Sequence, residues 1–128
     1  DYDYRFLIQG WSHDGVSATE FSVSFYGVTA AAYSTAVLFT ESNTAANREH
    51  GEYILRNPRG SQNLHVFQGS SYRNSTATTS NFVNANEGGG RFGAMCNWAT
   101  AQGILRLRFA VNGGDDFDLG KLVVQRKR

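Results

Sequence analysis

The feature that most constrains this chain is alternation with a period of two. From Leu105 onward, the apolar residues Leu105, Leu107, Phe109 and Val111 are separated by Arg106, Arg108 and Ala110. Successive side chains of an extended strand point to opposite faces, so the apolar row is predicted to enter a core and the arginines to face solvent. Residues Thr19 to Tyr26 repeat the pattern: Phe21, Val23 and Phe25 alternate with Glu20, Ser22, Ser24 and Tyr26. Nothing between such segments is long enough for a packed helix, and helix formers are scarce, with 2 Lys and 5 Glu. The 14 Gly, 11 Ser, 9 Thr and 10 Asn instead supply turn chemistry. The single proline, Pro58, removes few donors from a sheet ladder.

Further strands are predicted at Tyr2 to Gln9, Thr35 to Glu41, Gly51 to Asn57, Asn63 to Gln68, Arg91 to Trp98 and Phe117 to Gln125, with a short one at Asn81 to Ala85. The expected fold is all-β: an antiparallel, jelly-roll-like β-sandwich of eight or nine strands, one domain over residues 1–128. Asn112 to Asp116 is predicted to close a hairpin between the strands on either side of it. Val28 to Ser34 reads as a connection, and Gly69 to Ser80 and Asn84 to Gly90 as exposed loops. The 17 aromatic residues are sufficient for a core.

Several functions are disfavoured. No apolar run approaches the ~20 residues of a membrane-spanning helix, and no charged-then-apolar leader is visible, so a soluble domain without membrane insertion is expected. One cysteine allows no internal disulfide, and Cys96, alternating with Ala94 and Trp98, reads as a small buried hydrophobe. A net charge of +1 supplies no long-range field for nucleic acid, and the basic tail Gln125 to Arg128 reads as a solvated end.

Candidate chemistry is sparse. His13 and Asp14 could orient an imidazole, but no nucleophile motif accompanies them, and a polar turn is the simpler reading. His50 and His65 are expected as separate surface residues rather than metal ligands. Asn112, Asp115, Asp116 and Asp118 offer oxygens for calcium, although such a turn also closes without an ion, so no metal is assigned. Glu20, Glu41, Glu49, Glu52 and Glu87 show no pairing that suits glycoside cleavage. Gly88 to Gly90 lacks the context of a phosphate loop, and Asn74-Ser75-Thr76 matches a glycosylation acceptor. No cofactor and no enzymatic activity are expected. What remains is recognition by loops carrying Trp11, His13, Tyr72, Arg73, Asn74 and Trp98, whose flat rings and donors suit a sugar.

The Gly/Ser/Thr/Asn-rich, proline-poor and cysteine-poor pattern of short alternating strands extends from Tyr2 to Val124. It includes Arg5-Phe6-Leu7-Ile8 and Gly103-Ile104-Leu105-Arg106-Leu107-Arg108-Phe109. In this it resembles the distal head or tip domains of bacteriophage tail fibres and similar viral spike knobs. The resemblance implies a homotrimer on a virion surface, or otherwise extracellular, that binds a host-surface glycan or protein. Tyr26, Ile54, Phe67 and Ile104, expected on outward faces, agree with burial by neighbouring subunits. The rival expectations are a structural capsid or decoration domain and a secreted carbohydrate-binding module.

Overall fold

Each main alternating segment forms a strand. A computed structural model describes residues 2–15, 19–42, 47–75, 93–111 and 116–127, with the backbone alone for 19, 20, 40–42, 47, 71–75, 93, 118 and 119. The strands are β1 (Asp3–His13), β2 (Thr19–Gly27), β3 (Val37–Ser42), β4 (Asn47–Leu55), β5 (Gln62–Ser75), β6 (Gly93–Gln102), β7 (Ile104–Val111) and β8 (Phe117–Lys127). All pair antiparallel, in a large sheet ordered β6-β5-β4-β1-β8 and a small sheet ordered β3-β2-β7. Among the described residues there is no helix, and the fold is an all-β sandwich. The predicted strand Asn81 to Ala85 and the predicted loop Asn84 to Gly90 lie outside the described residues.

The sheets meet through aromatic rings, which supply large apolar area and favour edge-to-face contact. Phe39 of β3 meets Tyr53 of β4 and Phe67 of β5 at 5.2 and 5.5 Å between ring centroids. Phe109 of β7 packs 5.4 Å from Trp11 and 6.1 Å from Phe6, both on β1. Phe21 of β2 stacks on Phe117 at the start of β8, 5.3 Å away.

The expected hairpin between β7 and β8 does not form. β7 pairs with β2 and β8 with β1, so the two strands lie in different sheets. Gly and Asp signal a change of direction but not whether the next strand returns to the same sheet. At the β8 end, Asp116 N donates to Asp14 Oδ1 at 2.8 Å and Asp14 N to Asp116 O at 3.0 Å. β1 pairs with β8 in the large sheet and β2 with β7 in the small one. The remaining strands divide the sheets five and three.

Three further expectations are corrected. β5 has the opposite phase: Phe67 and His65 are fully buried, while Leu64 is exposed. A one-residue change of register moves every side chain to the other face, and the two apolar residues flanking His65 concealed that choice. Ile104 is buried as well, because the β2–β7 register shifts between Tyr26 and Gly27, placing Ile104 and Leu105 out of simple alternation. Gly69 to Ser75 is not a loop but the second half of β5, paired with Asn47 to Tyr53.

Candidate recognition surface

Among the described side chains, the residues first expected to bind a ligand form no exposed cluster. Trp11 and His13 lie in β1 rather than in a loop, and both are buried. Gly10, at φ 68°, and register shifts against β4 and β8 form a bulge that lets Ile8 and Trp11 both point inward. Trp11 Nε1 donates to Lys121 O at 3.1 Å, so the indole's polar atom serves the fold. His13 Nδ1 accepts from Gly15 N at 3.2 Å. Neither ring offers a face to a solvent-borne ligand. Tyr72, Arg73 and Asn74 sit on β5 opposite His50, Glu49 and Arg48; their side chains lie outside the described residues. Trp98, on β6, is half-buried and packs so closely on Gly27 that a Cβ there would lie 3.0 Å from Trp98 Cζ2.

The other candidates are also accounted for. His65 is buried, not on the surface: its Nε2–H donates to Gln102 O at 2.7 Å, and its Nδ1 accepts from Gln62 Nε2 at 3.1 Å. This tautomer satisfies both ring nitrogens. Glu52 makes a two-pronged pair with Arg5, Nε to Oε1 at 2.6 Å and Nη2 to Oε2 at 2.8 Å. Those hydrogen bonds hold the Glu52 carboxyl below its ordinary range. Asp3 accepts from Asn57 N at 2.9 Å and from Arg56 at 3.4 Å. Burial pushes the Cys96 thiol upward, against a hydrogen bond with Ser34, which suits a core residue and not a nucleophile. Among the described residues no three metal-ligating side chains gather. Asn112, Asp115, Thr76, Glu87 and Gly88 to Gly90 lie outside the described residues, as do the side chains of Asp118, Glu20 and Glu41.

Aromatic faces and guanidinium donors do meet elsewhere, on the outer face of the small sheet. The β2–β7 register sets Tyr26 opposite Arg106 and Ser24 opposite Arg108, and Tyr33 forms a bridge with Tyr26. Phe25 and Leu107 point inward, so alternation sends Tyr26, Arg106 and Arg108 outward together. The segment after β2 turns back along the edge of β2 that β3 also uses, with Ser34 N donating to Phe25 O at 2.8 Å and Phe25 N to Ser34 Oγ at 3.0 Å. It delivers the Tyr33 ring to 5.1 Å from that of Tyr26 in a T-shaped contact. Arg106 Cζ lies 5.0 Å above the Tyr26 ring and Arg108 Cζ 4.2 Å above the Tyr33 ring.

Each cation–π contact contributes roughly 0.5–1 kcal/mol at an exposed site and restrains a long side chain that would otherwise sample many rotamers. Among the described residues, neither arginine has a carboxylate partner. Their N–H edges therefore remain directed to solvent, two residues apart on one strand, a separation of roughly 7 Å. A planar guanidinium fork matches a carboxylate or sulfate in two-point contact, and the tyrosines add ring edges and hydroxyls. Arg106 and Arg108 were legible as outward-facing; their meeting with two tyrosines depended on a pairing between strands about 80 residues apart.

No protein-family model, curated protein or solved structure matches the chain.

Proposed function

We propose that the chain is a non-enzymatic attachment domain, of the kind carried at the tips of viral fibres on a virion or other extracellular surface. It recognises a host-surface ligand, an acidic glycan in preference to a protein, with the outer face of its small sheet. The observation that carries this reading is the pair of exposed arginines laid on Tyr26 and Tyr33 with no acidic partner among the described residues. Preorganised donors beside flat rings suit a sugar bearing a carboxylate or sulfate, because little ordering entropy remains to be lost on binding. A module for neutral polysaccharide has less support, since Trp11 is committed to the core.

The same reading includes a homo-oligomer, a trimer by the resemblance. Ile54, Leu64, Val66 and Met95 lie on the outer face of the large sheet, and Met95 is 63% exposed. Such a patch supports burial between subunits. It replaces the set first expected, of which Phe67 and Ile104 are core residues.

A glycan array tests recognition. The native chain is expected to retain sialylated or sulfated saccharides over their neutral counterparts. Arg108→Ala and Tyr33→Ala are each expected to weaken retention about tenfold, the equivalent of roughly 1.4 kcal/mol. Equal retention of neutral and acidic saccharides, or variants that bind like the native chain, would overturn the reading.

A further inference from the structure

The unequal sheets leave one flank of the sandwich unfinished. β7 lies above β1 through Phe109, Phe6 and Trp11, and β8 is the next strand outward in the large sheet. β8 begins beneath β2, where Phe117 stacks on Phe21, but its far half has no strand above it among the described residues. Leu122 and Val124 pair with Ile8 and Phe6, both buried, and therefore belong to the inward-facing row. Val124 is nevertheless 49% exposed, and Leu105, across the gap on β7, is 43% exposed. Between them runs a groove of about 360 Å³ whose apolar lining includes Tyr4, Leu105, Leu107, Leu122 and Val124. Inward-facing side chains left open to water mark an absent layer rather than a surface.

The geometry specifies the shape of the missing piece. Ile104 N, at the start of β7, donates to Pro58 O; beyond it β7 has no neighbouring strand on its outer side among the described residues, so its backbone donors and acceptors there form an open edge. A strand bonded there would lie roughly 4.8 Å from β7 and about 10 Å above the large sheet. That position is over Leu122 and Val124, and every second side chain of the new strand would enter the groove.

Charge specifies its chemistry. Among the described residues, the charged ones lining the groove are Arg59 and Arg106, and none is a carboxylate. Arg108, two residues along β7 on the same side as Arg106, continues the positive charge along this edge. A second copy pairing through β7 would bring Arg106 and Arg108 against the same two arginines, and like charges opposite each other are destabilising. Basic edges of this kind block self-pairing and favour an acidic strand.

We propose that this flank is a docking groove for an extended protein segment of alternating apolar and acidic residues. The segment adds to β7 as a fourth strand of the small sheet, with its apolar side chains in the groove and its carboxylates against the rim. Addition of a strand to a sheet edge draws affinity from backbone hydrogen bonds and specificity from alternate side chains. The proposal does not rest on glycan recognition, although both use Arg106.

Three end-blocked ten-residue peptides test it against the full chain by fluorescence anisotropy and methyl NMR: alternating valine and glutamate, valine and lysine, and serine and glutamate. The valine–glutamate peptide is expected to bind saturably and to shift the methyl signals of Leu105, Leu107, Leu122 and Val124. The other two are expected to bind at least tenfold more weakly. Val124→Asp, at a half-exposed position, is expected to abolish peptide binding while leaving the melting transition and retention of acidic glycans unchanged. Equal binding of the lysine peptide, shifts confined to other residues, or sedimentation as a dimer that Val124→Asp dissociates would each overturn the proposal.

Discussion

At the scale of single residues, two glycines meet where the bulge of β1 lies beside the edge strand β8. Gly120 adopts φ 107°, and a Cβ there would lie 2.7 Å from both Gly10 O and Trp11 Cδ1. Backbone strain and collision act together, so Gly120→Ala is expected to cost about 2 kcal/mol or more, read as a lower urea midpoint. The Arg5–Glu52 pair gives a pH signature. The folded protein holds the Glu52 proton more weakly than the unfolded chain does, because of the hydrogen bonds from Arg5. The resulting stability is present above the ordinary carboxylate range and is lost as pH falls through the lowered folded value. Both side chains are part-exposed, so the effect is small. Thermal melts from pH 6 to pH 3 are expected to fall less steeply for Glu52→Gln than for the native chain. Gly10 also explains a misplaced boundary: glycine in an alternating segment signals a break as readily as a bulge, and Trp11 and His13 beyond it were therefore placed in a loop rather than in β1.

At the scale of elements, strand existence was legible and strand pairing was not. Segments with one apolar row and one polar row, such as β2 and β7, were placed within a residue of their observed ends. β5 carried apolar residues on both faces and a buried histidine, so its phase could not be read from alternation. The connection after β2 depends on β6 in the same nonlocal way. Gln102 Oε1 accepts from Thr29 N at 2.9 Å and from Ala30 N at 2.8 Å, and its amide donates to Thr100 O at 3.3 Å. Gln102→Leu keeps the bulk but strands both backbone donors, so a loss of about 2 kcal/mol is expected in denaturant unfolding. The same connection carries Tyr33, and the variant is expected to weaken acidic-glycan binding as well. The residues proposed to bind are not legible in the sequence for this reason: they come from β2, the connection that follows it and β7, which only the folded sheet assembles.

At the scale of the whole molecule, a sandwich with five strands against three has faces and a flank that differ in chemistry. The small sheet presents arginine on tyrosine, the large sheet presents an apolar patch, and the flank between β7 and β8 is apolar with a basic rim. The layers are held by one buried aromatic cluster, and Cys96 lies between them. Its thiol is buried and its ionisation suppressed by desolvation, so a disulfide exchange reagent is expected to react only as fast as the sheets part. Reaction of the native protein at the rate of a free thiol would contradict that packing. The proposed recognition uses the outer face of the small sheet. Titration of the isotope-labelled chain with sialyllactose and, separately, with lactose tests this directly, since the two ligands differ by one carboxylated sugar. Shifts centred on Tyr26, Tyr33, Arg106 and Arg108 with the acidic ligand alone are the expected result; identical responses to both ligands, or shifts centred on another face, would contradict it.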